Sequence, residues 1–256
     1  MIALQALILG IVEGLTEFLP VSSTAHLEIA TRVLGIVDSD FVKSFIIIIQ
    51  LGAILAVLVL FGRRLWSRIE LWKRVVVAFI PTGVIGFVLY KIIKHVLLGN
   101  LYIVVLTLGV GGIIIILFEY SLKNKVGTEM ELEQMSYMTA FWIGVAQSLA
   151  VVPGVSRSAA TIIAGRAFGL GRRAIVEFSF LLAVPTMLAA TGYDLLKNHT
   201  TFTADQNALL VIGFVAAFVS ALLAIKYFLR LVERYSFTGF GVYRILLAIV
   251  LIIFLI

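Results

Sequence analysis

Glu13 and Glu17 stand four residues apart in "VEGLTEFLPVSSTAHLEIA", and Ser22, Ser23, Thr24 and His26 follow them within nine positions. On a helix, positions i and i+4 share a face, with their Cβ atoms about 6 Å apart. Two carboxylates held that close in a medium of low dielectric repel each other unless a cation or a shared proton intervenes. Glu13 and Glu17 are therefore the metal-binding candidates, for a divalent cation. The alternative is that they cap or solvate a helix end. Beyond Pro20, the three hydroxyls fall where a new helix can begin. N-capping uses one of them and does not require three. His26 lies three residues after Ser23, on the same helix face one turn later, where an imidazole can serve a hydroxyl as base or acid.

A second polar segment, "PGVSRSAAT", supplies Ser156, Arg157 and Ser158, again behind a proline. A guanidinium at a helix N-terminus suits a phosphate, because its fork, the free backbone N–H groups and the helix dipole favour the same anion. Arg157 can equally pair with Glu13 or Glu17. Taken together, Ser23, His26, Glu17, Glu13 and Arg157 form a constellation for phosphoryl transfer. In it a cation and an arginine neutralise phosphate oxygens, a hydroxyl or water attacks, and an acid protonates the leaving oxygen. Ser22, Thr24, Ser156, Ser158 and Gln147 are the remaining groups placed to hold substrate.

The elements that must position these residues belong to a membrane. Of the 256 residues, 62% are hydrophobic and 13% charged, and the mean hydropathy is +1.14, which excludes a soluble globular domain. The net charge of +6 does not point to nucleic acid, since the basic residues flank apolar segments as in membrane orientation. Without cysteine there is no disulfide, thiolate metal site or thiol nucleophile. The stretch from Met1 to Ile11 lacks the basic start and small-residue cleavage site of a signal peptide. Six stretches are long enough to cross a hydrocarbon core of about 30 Å. They are Phe41 to Phe61, Val75 to Lys91, Leu101 to Glu119, Ile175 to Leu195, Asn207 to Leu229 and Phe240 to Ile256. Shorter apolar pieces, Met1 to Leu19 with Ser23 to Leu34 and Tyr137 to Val152 with Ser158 to Phe168, form two pairs broken at "LPVSSTA" and "PGVSRSA". Such pairs read as re-entrant hairpins, tolerated at membrane depth only where protein or a water-filled cavity covers the loop.

Residues 10 to 35 align without a gap on residues 144 to 169, with nine of 26 identical, and Gln147 falls on Glu13. The chain thus reads as a single membrane unit of two repeats, about 1–119 and 137–256. Each repeat has a hairpin and three spans, so an odd number of crossings inverts the second, and both hinges meet near the midplane. The fold class expected is all-α: six transmembrane helices plus two re-entrant helical hairpins in an inverted-topology repeat. The loop "GRRLWSRIELWKR", with Arg63, Arg64, Arg68, Lys73 and Arg74 against one Glu, should be cytoplasmic. Counting from it puts Asp38 and Asp40, His95 and Asn100, both termini and the first hinge on the outer side. Lys91 and Lys94 are displaced from the rule and can snorkel. The loop from Lys123 to Gln134 and the ends of the second hairpin fall inside.

The paired motifs "EGLTEFLPVSSTAHL" and "PGVSRSAAT" resemble the two signatures of the undecaprenyl-diphosphate phosphatase (bacitracin-resistance protein) family, and the likeness extends over the whole chain. The resemblance implies hydrolysis of a C55 polyprenyl diphosphate to the monophosphate, recycling the carrier lipid for wall synthesis. It also implies dependence on Mg²⁺ or Ca²⁺ and a plasma-membrane site open to the outer face. By the same likeness, Ser23 is the nucleophile or positions a water, and His26 is its base or acid. Glu13 and Glu17 hold the metal or help protonate, and Arg157 grips the diphosphate. Ala25 and Ala159 stand where the family usually has glycine. Other readings differ by what they need. A transporter shares inverted repeats and broken helices but has no use for a nucleophile. A membrane acid phosphatase requires a histidine nucleophile downstream of "SRSAATIIAGRAF", which is missing here, and His95 and His199 fall in outer loops. A purely structural protein leaves buried Glu13, Glu17, His26 and Arg157 unexplained. The partners expected are the polyprenyl diphosphate and the membrane, with no nucleic acid. Gly-rich faces such as Gly109 to Gly112 could pack within the chain or between two chains of a homodimer.

Overall fold

The computed structural model describes residues 1–66, 68–92, 100–122, 129–198 and 202–255. Among these the chain is predominantly helical and contains no strand beyond an isolated bridge between Met130 and Leu170. Ten α-helices follow in order: α1 Ala3–Thr16, α2 Ser23–Val33, α3 Asp40–Trp66, α4 Ile69–Ile92, α5 Leu101–Leu122, α6 Tyr137–Gln147, α7 Arg157–Ala167, α8 Arg172–Asn198, α9 Ala204–Arg234 and α10 Thr238–Leu255. Five of them, α3, α4, α5, α8 and α9, are long and apolar enough to cross a membrane. The last expected span is α10, an apolar helix of 18 residues. At 1.5 Å per residue it is about 27 Å long.

Helix ends run beyond the apolar stretches. The expected loop "GRRLWSRIELWKR" is mostly helix, because α3 continues to Trp66 and α4 already begins at Ile69. Its Arg, Leu, Glu and Lys residues are good helix formers and no proline interrupts them. Polar residues likewise extend α9 to both sides of its apolar core, with Thr203 and Gln206 forming a capping box. Lys94, His95 and His199 lie outside the described residues.

The four short helices form the two expected hairpins. α1 and α2 are joined through the hinge at Pro20, and their far ends meet where Gln5 Nε2 donates to Leu34 O at 3.0 Å, beside the start of α3. α6 continues as a 3₁₀ turn over Ser148–Val151 and is joined to α7 through Pro153 and Gly154. The far ends of this second hairpin lie at the opposite end of α3. There Tyr137 Oη donates to Glu70 at 2.6 Å, Arg74 reaches the carbonyls of Glu133 and Met135, and Arg166 pairs with Glu129. Arg68 pairs with Glu133 at the same end.

The two halves match locally as well as in sequence. α2 and α7 each have 11 residues, begin 134 positions apart and are capped by Ser22 and Ser156. Both hairpins leave through a glycine of positive φ, Gly35 at 60° and Gly169 at 89°. Packing crosses between the halves: α1 lies on α9, and α6 lies on α4. Small residues bring these pairs together, as in membrane helix packing generally. A Cβ on Gly10 would come within 2.4 Å of Gly213 O, and one on Gly144 within 1.9 Å of Ala78 O. The Gly109 to Gly112 stretch also turns inward, with Gly112 against Gly241 O of α10. These glycines pack within the chain.

Candidate active site

The polar hinges meet because each short helix stops at mid-bundle. After α1, Glu17 still bonds its backbone N–H to Glu13 O, and the chain then turns at Leu19 to Val21. Ser22 takes φ 71° and Ser156 φ 67°, a region that L-residues avoid and that costs about 1–3 kcal/mol when held by the surroundings. Strain of this kind clusters at functional sites. Each serine spends its hydroxyl on its own helix, Ser22 Oγ accepting from Ala25 N–H and Ser156 Oγ from Ala159 N–H. These two are therefore the N-caps, and the next residue in each segment points elsewhere. Ala25 and Ala159 are the third residues of α2 and α7 and are buried, so an ordinary helical residue fits there.

Ser23 is 7% exposed and donates from Oγ to Glu17 Oε2 at 2.5 Å. Across the hinge, Arg157 extends Nη2 to Glu17 Oε1 at 3.3 Å and Nη1 to Ser179 O at 2.8 Å. Glu17 thus joins hydroxyl and guanidinium from different hairpins. Glu13 sits one turn below it, fully buried. No N–H or hydroxyl group donates to its carboxylate; its neighbours are Arg157 and the Glu17 carboxyl, which is close enough to share a proton with it. Two buried carboxylates side by side are stabilised by a shared proton or by a hard cation. Among the described residues no three acidic, His or Cys side chains converge. Glu13 and Glu17 are the residues that would hold such a cation.

A cavity of about 580 Å³ opens over these groups. Glu17, Ser22, Ser23, Thr24, Ser156 and Arg157 line it, as do Gln147, Thr82 and Thr186. Gln147 Nε2 donates to the hydroxyls of Thr82 and Thr186, while its Oε1 is buried without a partner. Phe79, Gly83, Gly86, Phe87, Met187 and Tyr193 make an apolar wall between α4 and α8. Phe87 is 72% exposed, so the cavity reaches the bundle surface there. Polar headgroup contacts and an outlet along apolar side chains are thereby joined in one space.

Three expected site residues lie off the cavity lining: Glu13, buried beneath Glu17, and His26 and Ser158. His26 does not reach Ser23: its Nδ1 bonds Ser22 O at 2.7 Å and its Nε2 bonds Tyr243 Oη at 2.7 Å, with the two rings stacked. Both nitrogens are engaged outside the cavity, because the ring stacks on Tyr243 of α10 and bonds its hydroxyl. Ser158 is 1% exposed, and its hydroxyl has no partner and does not line the cavity. One helical step, about 100°, turns it from the Arg157 face toward the protein. Thr82, Thr186 and Tyr193 line the cavity without any sequence signal. They are ordinary residues of long apolar helices.

The chain matches the family model described as Bacitracin resistance protein BacA over residues 6–250. It is 52% identical over 246 residues to "Undecaprenyl-diphosphatase" of Aquifex aeolicus, covering 96% of each chain. It is 51% identical over 251 residues to the protein of that name from Persephonella marina, covering 98% of each. For the Wolinella succinogenes protein of the same name the identity is 49% over 251 residues, 98% of this chain and 97% of the other. With a match across nearly its whole length and relatives at half identity, this multi-pass membrane chain belongs to the bacitracin resistance protein BacA family.

Proposed function

We propose that the chain hydrolyses undecaprenyl diphosphate to the monophosphate and inorganic phosphate, and does so where the two hinges meet. The named activity of its relatives supplies the reaction. One observation carries the placement: Ser23 of hairpin one and Arg157 of hairpin two contact the same carboxylate, Glu17, on the wall of one cavity. Arg157 and the N-termini of α2 and α7 bind the diphosphate, displacing the guanidinium from Glu17. Glu17 then takes the proton of Ser23 Oγ, which attacks the terminal phosphorus. A Ser Oγ–P bond forms, and the bond from that phosphorus to the bridging oxygen breaks with its electron pair on the monophosphate. Glu17 gives that proton to the departing oxygen of the monophosphate. The freed carboxylate then takes a proton from a water whose oxygen bonds to phosphorus, and as the Oγ–P bond breaks that proton passes to Ser23 Oγ and inorganic phosphate is released. In the variant of this route where water attacks directly, Ser23 and Glu17 orient that water. When bound at Glu13 and Glu17, a Mg²⁺ or Ca²⁺ ion supplies charge neutralisation for the phosphate oxygens. Thr24, Ser156 and Gln147 offer further contacts to the headgroup. His26, tied to Ser22 O and Tyr243, acts by fixing the hinge. The prenyl tail leaves along the apolar wall of α4 and α8, past the Phe87 and Tyr193 rings, into lipid.

The same reading includes an inverted-topology repeat of six spans, counting α10, in a plasma membrane. Its support is the exchange of packing between the halves and the opening of the two hairpins at opposite ends of α3. Arg68, Lys73 and Arg74 gather at the end where hairpin two opens. By the preference for basic residues inside that end is cytoplasmic, which leaves both termini and the mouth of hairpin one outside.

Phosphate release from a polyprenyl diphosphate by the purified protein, for wild type, Ser23→Ala and Arg157→Ala, tests the proposal. Release by wild type and its loss in both variants, with folding intact, is the expected result. Binding of the lipid without release, unaffected by Ser23→Ala, would replace the enzyme with a lipid carrier.

A further inference from the structure

Arg244 is an arginine in the middle of the otherwise apolar helix α10, and it is fully buried. Among the described residues it has no carboxylate within ion-pair distance. Its guanidinium meets five backbone carbonyls instead. Nη1 donates to Pro20 O at 3.3 Å and Val155 O at 3.2 Å. Nη2 donates to Gly154 O at 2.9 Å and Thr107 O at 3.0 Å, and Nε to Leu108 O at 3.4 Å. A guanidinium has five N–H donors in a fixed fork, and here each has an acceptor. An unpaired charge at membrane depth is costly, so a residue with only a packing role has no reason to be arginine.

The acceptors fall at particular places. Pro20 and Gly154 are the repeat-related residues 134 positions apart, each two before the strained serine of its hinge, and Val155 immediately precedes Ser156. A single side chain from a third element therefore ties the backbone of hinge one to the backbone of hinge two. The other two acceptors anchor that tie to α5, and there Thr107 Oγ1 adds a bond to Pro153 O at 2.7 Å. Space for the fork is made by Gly111 of α5, where a Cβ would lie 2.4 Å from Nη2 of Arg244. Ser23 and Arg157 each sit directly after the two strained serines, so their separation depends on how these carbonyls are held.

We propose that Arg244 is a positioning residue for the diphosphatase site: by clamping Pro20, Gly154 and Val155 together it holds the Ser23 hydroxyl opposite the Arg157 guanidinium. This rests on the reading of the two hinges as the active site. A lysine has three donors on a point charge and cannot satisfy five dispersed carbonyls. Misplacement of reacting groups by about 1 Å costs on the order of 10² in rate.

The test measures phosphate release at varied polyprenyl diphosphate for Arg244→Lys, Gly111→Ala, Gly109→Ala and Ser23→Ala, with thermal midpoints and size-exclusion profiles in detergent. Arg244→Lys and Gly111→Ala are expected to lower kcat by about 10² and to leave KM within about threefold. Gly109→Ala, whose Cβ would have only Ala248 at 3.8 Å, is expected to behave as wild type. Loss of kcat in Gly111→Ala supports the clamp even if Arg244→Lys does not fold. A folded Arg244→Lys or Gly111→Ala with kcat within threefold of wild type overturns it while Ser23→Ala is inactive. An active Ser23→Ala overturns the reading of the site as well.

Discussion

Glu17→Gln separates chemistry from stability more sharply than any other change in this site. The carboxylate accepts a hydrogen bond from Ser23 Oγ at 2.5 Å and meets Arg157 at 3.3 Å, and it is 6% exposed. Glutamine keeps the size, still accepts a hydrogen bond from Ser23, and cannot take a proton. Loss of a positioned base costs about 10² to 10⁴ in rate, roughly 3–5 kcal/mol of transition-state stabilisation. Stability responds to opposing effects. Arg157 loses a charge-assisted partner, worth about 1.5–3 kcal/mol, yet keeps Ser179 O at 2.8 Å, and Glu13 loses the like charge beside it. These offset, so the thermal midpoint in detergent stays near wild type while kcat falls by at least 10². Single-turnover phosphate release at saturating lipid reads the chemical step. A well-folded Glu17→Gln protein with kcat within about threefold of wild type would refute the assignment of Glu17 as base, since a hydrogen-bonding role alone survives the change.

Three further expectations follow from the packing and the cavity. Gly144→Ala places a methyl 1.9 Å from Ala78 O and should cost at least 1–3 kcal/mol, read as a lowered thermal midpoint, whereas Gly192→Ala, with nothing within 4 Å, should not move it. EDTA should abolish phosphate release and added Mg²⁺ or Ca²⁺ should restore it, and Glu13→Gln should raise the cation concentration needed for half-maximal rate; undiminished release in EDTA contradicts the cation role. Gly86→Trp, at a cavity-lining position whose Cβ meets nothing, should raise KM for a long-chain polyprenyl diphosphate and leave KM for a short-chain one unchanged; equal effects on both would move the tail path elsewhere.

The hinges are legible in the sequence because polar residues in an apolar chain are expensive, so residue type alone marks them as a site. The same economy makes the repeat readable, since Ser22 and Ser156 must recur to cap two equivalent helices. What stays hidden is which way a side chain turns after the cap. His26 and Ser158 have the right residue types at the right spacing, yet α10 and the protein interior claim them. Helix ends are hidden for another reason: a hydropathy pattern reports the hydrocarbon boundary, whereas α3 and α4 continue past it through polar residues that favour helix. Arg244 carries a signal that motif and spacing leave unused. A lone arginine in the stretch Phe240 to Ile256 obeys the same rule of cost as Glu13 and Glu17, but its partners are carbonyls spread over residues 20 to 155, and backbone acceptors leave no motif. The lining from α4 and α8 comes from ordinary Thr, Gly and aromatic residues whose meeting is set only by the fold.

The claim that two hinges from opposite halves make one catalytic site is tested most directly by a double-mutant cycle on kcat/KM for polyprenyl diphosphate, using Ser23→Ala from hairpin one, Arg157→Ala from hairpin two, and the pair together. Residues that act as a unit are strongly non-additive. The double variant is expected to be little worse than the more damaged single variant. Losses that multiply, with both single variants folded, would mean that the two hinges contribute independently and would contradict the shared site.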